Sequence, residues 1–301
     1  MKVFTTAMGR VLAAILIVTP AMAANDEVRN VVLVSWDGAD RAVIRELLDA
    51  GKLPVTSDLI RHGSLQDITI TSHKTVTMPG HATMLTGYLS DRHQIFNNDV
   101  VKPVPAGLTV FERLEHHLGT NAIATIMIAG KGRNLGGATT NDIFGLSRRV
   151  MDHFESKDQS AAQVVDLALP MLTRHANTRF ILFLHFPDID RAGHGYGRDS
   201  AQYRDAFVEN DRQVGRVIEA LKTANLHEST RTYITADHGF DKGSRGHDKA
   251  PDIFLATNDK AVFRGGNLAD IPVTIMARMG LDTAAIEPPL AGRPLTGTLE
   301  P

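Results

Sequence analysis

Apolar runs alternate with amphipathic stretches along most of this 301-residue chain. Residues 30–36, 67–71, 122–128, 180–186, 231–236 and 252–256 are short apolar runs rich in Val, Ile, Phe and Thr, the composition of strands. Between them, residues 41–50, 79–86, 108–118, 161–173, 201–224 and 271–279 carry the spacing of amphipathic helices. The alternation predicts an α/β fold, a three-layer sandwich with a mostly parallel central sheet and helices on both faces. No repeat, low-complexity tract or long linker interrupts it. Residues 91–107, rich in Asn, Pro and His, read as a loop over the functional end, and a glycine-rich loop at 130–137 follows the third strand.

The first 23 residues stand outside this pattern. Lys2 and Arg10 form a basic start, residues 11–19 are apolar, and Ala21-Met22-Ala23 supplies the small residues that precede a signal-peptidase cut. This predicts a cleaved signal peptide over residues 1–23, a single domain over 24–301, and a periplasmic or secreted protein. The apolar stretch is short of the roughly 20 residues that span a bilayer, so no stable membrane anchor is expected. The chain has 32 basic and 34 acidic residues, and cleavage would remove Lys2 and Arg10 to leave a net charge of −4. A mildly acidic chain without a basic stripe does not suit long nucleic acid. There is no cysteine, so any metal must be held by oxygen and nitrogen donors.

Chemistry concentrates where the apolar runs end. Asp37 closes the first, Asp190 and His194 follow the fourth, and Asp237-His238 closes the fifth. Buried strands that deliver acids and histidines at their C-terminal ends place them in the crevice where open α/β sheets bind ligands. With His247, these six carboxylate and imidazole donors are enough for the two ions of a two-metal hydrolase. Singly, several are ordinary: His247 reads as a surface histidine, and Asp190 and His194 share a polar segment in which Gly193 allows a tight turn. Adjacent donors straight after a strand, as at Asp237-His238, are harder to attribute to packing. Thr77 sits just ahead of a helix start marked by Pro79, where free N–H groups and the helix dipole favour an oxyanion. A threonine there can also be a plain N-cap, and Thr75 and Ser72 are close enough to be rival nucleophiles.

Asp37-Gly38, Thr77-Met78-Pro79-Gly80-His81, Thr86-Gly87, His93-Gln94-Ile95-Phe96-Asn97-Asn98, Asp190-Arg191-Ala192-Gly193-His194, Asp237-His238-Gly239, Gly246-His247 and Gly292-Arg293-Pro294-Leu295 occur in that order. Together they resemble the alkaline phosphatase superfamily, nearest its nucleotide pyrophosphatase/phosphodiesterase branch. The family's motifs at the matching positions are Thr-Phe-Pro-Asn-His, His-Gly-Ile-x-x-Asn, Asp-x-x-Gly-His and Asp-His-Gly. The resemblance implies that Asp190, His194 and His247 hold one divalent ion. Asp37, Asp237, His238 and the Thr77 oxygen hold the other, with zinc expected and manganese an alternative. It implies Thr77 as nucleophile, with Asn98 and the Thr77 N–H on a phosphate oxygen, and a small phosphate ester, foremost a diester, as substrate. Lys131 is similar in placement to the substrate-binding lysines of phosphonoacetate hydrolases, and is equally readable as a solvated loop lysine.

Some positions depart from the family. Gly80 replaces an asparagine, which should loosen the helix start, and eight residues separate His238 from His247 where the phosphodiesterases carry a long insertion. The Cys/Ser-x-Pro-x-Arg motif of sulfatases is absent, and the related mutases are cytosolic. A phosphomonoesterase or phosphonoacetate-hydrolase-like activity is the alternative chemistry. A non-catalytic metal- or phosphate-binding protein is the alternative of another class, separable by a chromogenic ester assay. Nothing in the sequence sets the oligomeric state.

Overall fold

The computed structural model describes residues 28–99, 102–136 and 142–296, so the expected signal peptide and Gly137 lie outside the described residues. The strands are β1 (Asn30–Trp36), β2 (Ser64–Thr69), β3 (Ile123–Ala129), β4 (His153–Ser156), β5 (Arg179–Phe186), β6 (Thr230–Thr235), β7 (Asp252–Thr257) and β8 (Gly266–Asn267). The helices are α1 (Arg41–Asp49), α2 (Pro54–Arg61), α3 (Thr77–Thr86), α4 (Ser90–His93), α5 (Val110–Leu118), α6 (Gly132–Leu135), α7 (Ala161–Arg174), α8 (Asp188–Tyr196), α9 (Ala201–Thr223) and α10 (Asp270–Arg278).

The strands form one sheet in the order β4-β3-β5-β1-β6-β7-β2-β8. From β4 to β6 every pairing is parallel, whereas β7 runs antiparallel to both β6 and β2. Strands β1 and β3 are buried along their whole length, which is why they read as continuous apolar runs. One helical layer gathers α1, α2, α7 and α8 around α9, and the other joins α3, α5 and α10. The mostly parallel three-layer sandwich expected from the sequence is therefore the observed fold. Trp36 lies in its core, edge-on to Phe207 at 6.0 Å and to Phe254 at 6.1 Å.

Local chemistry sets several helix starts. Thr109 with Glu112, and Ser160 with Gln163, form reciprocal capping boxes at α5 and α7. The start of α2 is satisfied from far away: buried Asp211 on α9 accepts from the Thr56 N–H at 2.8 Å across 155 residues of sequence. Pro54 at the first position of α2 is its one local start signal, and the sequence pattern misses the helix. It also misses β4 and β8, whose four and two residues are too few to show a period.

His93 at the end of α4 is fully buried. Its Nδ1 accepts from the Ile95 N–H at 3.1 Å, so the ring is neutral, and burial pushes its pKa down to about 3. An unfolded chain binds a proton at this histidine first, so the contribution is intact above the unfolded value and is lost on acidification. Folding stability should fall by about 1.4 kcal/mol per pH unit below roughly pH 6.5 from this group alone. Denaturant unfolding between pH 7 and pH 5 checks this. The pH slope of His93→Gln should be shallower than that of the wild type, and equal slopes would contradict the assignment.

Candidate active site

Strands β5, β1 and β6 are neighbours, and their register aligns Trp36 with Phe186 and Ser35 with Thr235. The chain leaves all three at the same edge. Asp37 follows β1, Asp237 and His238 follow β6, and the first turn of α8 after β5 carries Asp190. The Gly38 N–H donates to Asp237 Oδ1 at 3.1 Å, tying the first two exits together.

The donors form two groups. His194 Nε2 lies 3.2 Å from His247 Nε2 and 3.4 Å from Asp190 Oδ1, and His247 Nε2 lies 3.8 Å from the same oxygen. In the other group, His238 Nε2 is 3.5 Å from Asp37 Oδ1 and 3.4 Å from Asp237 Oδ2. His238 also comes within reach of Asp190 and His247, and its ring stacks on that of His247 with centroids 3.9 Å apart. The two groups thus share a wall.

Each of these histidines has its other nitrogen against a backbone carbonyl: His194 Nδ1 at Arg245, His238 Nδ1 at Gly239 and His247 Nδ1 at Thr75. Such a bond fixes the proton on Nδ1 and leaves the Nε2 lone pair directed inward, as metal-binding histidines require. Asp37 Oδ1, Asp190 Oδ1, Asp237 Oδ2 and His238 Nε2 are buried without a hydrogen-bond partner. Orphaned acceptors at these four atoms are what a pair of divalent cations would satisfy, and the mixed oxygen and nitrogen set suits zinc or manganese. The residues fit the group.

Electrostatics agree. Burial, reinforced by the charge of Asp37, pushes Asp237 up to about 8. Burial opposes ionisation of Asp37 too, but the Lys131 charge and a hydrogen bond from His185 outweigh it and hold Asp37 well below the usual range. Burial pushes His247 down to about 4, so it is neutral and ready to ligate at neutral pH. The Asp190 carboxylate, 3.4 Å from Nε2, raises His194.

Thr77 is the first residue of α3, with Val76 at the N-cap position and no side-chain capping bond, so Thr77 is not the plain cap. Its Oγ1 lies 3.2 Å from Lys131 Nζ, which also contacts Asp37 and Asp190. The rivals are placed elsewhere. Thr75 Oγ1 donates to the His247 carbonyl, and Ser72 lines a separate cavity with His73, Leu89 and Phe96. Asn98 accepts from the Met78 N–H at 2.8 Å through Oδ1, so its amide N–H groups are what it offers elsewhere. The structure thus brings together every site residue read from the sequence, Lys131 included.

Two local expectations change. The segment around Gly193 is the helix α8 rather than a tight turn, and Asp190 and His194 share its face one turn apart. A Cβ at Gly193 would lie 2.5 Å from the Phe240 ring, whose centroid sits 5.1–5.2 Å from those of His194 and His247. Gly193 therefore serves packing under the histidines. Gly80 does not loosen α3: a Cβ there would lie 2.7 Å from the Asp237 carbonyl, so glycine lets the helix start press against the ligand strand. His185 escaped the sequence reading. It is wholly buried on β5, with Nδ1 accepting from the Gly130 N–H and Nε2 at 2.9 Å from Asp37 Oδ2. A histidine inside an otherwise apolar strand was the available signal.

The mostly parallel three-layer sandwich, with its acid and histidine clusters at the strand ends, accords with a hydrolase of phosphoric esters of the alkaline phosphatase superfamily, the class to which the family match assigns the chain. The chain belongs to the type I phosphodiesterase/nucleotide pyrophosphatase family, whose model matches residues 31–288. Solved structures share the fold at low identity. A TAB5 alkaline phosphatase variant has a TM-score of 0.60 and 14% identity over 85% of this chain and 99% of its own. The phosphonate monoester hydrolase of Silicibacter pomeroyi has a TM-score of 0.61 and 16% identity over 89% and 76%. A 2-O GAG sulfatase has a TM-score of 0.65 and 13% identity over 89% and 73%. Among the described residues no helix is long and apolar enough to cross a membrane.

Proposed function

We propose that this protein is an exported two-metal phosphodiesterase that cleaves small phosphate diesters, nucleotides among the candidates, with Thr77 as nucleophile. The observation that carries the diester preference is the pairing of a neutral donor, Asn98, with a lysine already balanced by two carboxylates. Asn98 is a neutral donor beside the start of α3, suited to the single charge of a diester. The three protons of the Lys131 ammonium already have acceptors in Asp37, Asp190 and Thr77, leaving none for a second substrate charge. Export rests on Lys2, Arg10, the apolar residues 11–19 and the Ala21-Met22-Ala23 segment.

In the first step Thr77 Oγ1 attacks phosphorus in line, its P–O bond forms, the bond to the leaving group breaks, and the Thr77 hydroxyl proton ends on the departing alcohol. In the second, water displaces Thr77 from the phosphothreonine, returning the hydroxyl and releasing a monoester. Asn98 and the N–H groups at the start of α3 hold a non-bridging oxygen. Asp190, His194 and His247 would hold one ion, and Asp37, Asp237, His238 and Thr77 the other. When bound, two such ions, zinc or manganese, supply Lewis-acid stabilisation of the attacking and leaving oxygens.

The test compares bis(4-nitrophenyl) phosphate, 4-nitrophenyl phosphate and phosphonoacetate in defined zinc. The diester should show the highest kcat/KM, and Asn98→Ala should lower turnover of both phosphate esters. A clear win for the monoester or for phosphonoacetate overturns the diester reading and leaves the superfamily chemistry standing.

A further inference from the structure

Lys131 occupies an unusual place for a lysine in a glycine-rich loop. Its ammonium meets Asp37 Oδ2 at 2.8 Å, Asp190 Oδ2 at 2.6 Å and Thr77 Oγ1 at 3.2 Å. These two carboxylates belong to different ion groups, and in each of them Oδ1 is the orphaned oxygen. The lysine therefore takes one oxygen of each acid and leaves the other directed at its histidines. On Asp37, Oδ2 is further claimed by His185 Nε2 at 2.9 Å, which completes the division of labour between the two oxygens.

The backbone under the lysine is fixed. The Lys131 carbonyl accepts from Asn134 and Leu135 in the first turn of α6. The neighbouring Gly130 donates to the His185 carbonyl at 3.2 Å, and its own carbonyl accepts from Arg191 on α8 at 3.1 Å. The loop is thus anchored to β5 and α8, the same elements that carry His185 and Asp190.

We propose that Lys131 is a positioning residue, whose ammonium ties one outer oxygen from each of the two acid and histidine groups to Thr77 Oγ1. A substrate contact is a different role, requiring a free proton on the ammonium that this geometry does not leave. The inference rests on the two-cation reading given above, and its consequences are opposite for binding and for turnover. A fixed positive charge beside both sites weakens their hold on divalent ions, while the same ammonium keeps the nucleophile in line.

The experiment uses the full chain with Lys131→Met and Lys131→Arg. Zinc affinity is measured by equilibrium dialysis against zinc buffers, and kcat on bis(4-nitrophenyl) phosphate at saturating zinc. Lys131→Met should bind zinc more tightly, by roughly tenfold or more, because a like charge is removed at short range. Its kcat should fall by about a hundredfold or more, because the hydroxyl loses its fixed position. Lys131→Arg keeps the charge, so its zinc affinity should stay near that of the wild type, but a planar fork cannot reach the same three acceptors and kcat should still fall. A lysine that merely propped the fold would give weaker zinc binding in the methionine variant. That result, or wild-type kcat in either variant, overturns the proposal. If the wild type turns over none of the phosphate esters, the functional reading fails, and the zinc affinities alone decide the role of Lys131.

Discussion

Thr77→Ala should lower kcat on phosphate esters by on the order of a thousandfold or more while the protein still folds and binds its ions. Thr77 contributes one oxygen to the site, and the six other donors reach it from different elements. Its side chain caps no helix, so its loss leaves the start of α3 intact. Thr75→Ala removes the hydrogen bond to the His247 carbonyl, and a moderate rise in the zinc concentration needed for activity is expected instead. Single-turnover assays with metal analysis on both variants separate the two roles. A larger catalytic loss at Thr75 than at Thr77 would put the nucleophile in the wrong place.

Stripping the metals should abolish turnover, and zinc or manganese should restore it, with close to two ions regained per chain. The loss should extend to stability. Buried Asp37, Asp190, Asp237 and His238 present orphaned atoms that the ions would satisfy, and ions at a thousand times their dissociation constant add about 4 kcal/mol. Thermal unfolding with and without chelator reads the stability, and a chromogenic diester reads the activity. Full activity in protein shown by elemental analysis to be metal-free would refute the two-ion site. Asp37→Asn should release ions as well, since it removes the charge between the orphaned oxygen and Lys131.

The parallel half of the sheet was legible because strands buried on both faces must be apolar throughout, and β1 appears with the expected limits, residues 30–36. The candidate donors that the structure brings together were legible for a related reason: a charged or imidazole side chain directly after such a strand has little to do in packing. What escaped depends on partners remote in sequence. The start of α2 is completed by Asp211, α8 is a helix in spite of Gly193 and Gly195, and the orientation of Lys131 follows from the way Gly130 is tied to β5 and α8. His185 was visible in the text of the chain but acquires meaning only when β5 is laid beside β1. The resemblance supplied the division of donors between two ions, which spacing alone left undivided.

The bond from Gly38 to Asp237 closes 199 residues of chain, and β1 must lie between β5 and β6 before either ion group is complete. Parallel pairings of such separation form late, after much chain entropy has been surrendered. An ion that meets the nascent chain earlier finds at most local pairs, Asp190 with His194 on α8 or Asp237 with His238, and neither group complete. On the proposed two-ion reading, metal capture would mark the completion of folding, and a chain in which β6 has yet to dock would complete neither group of donors.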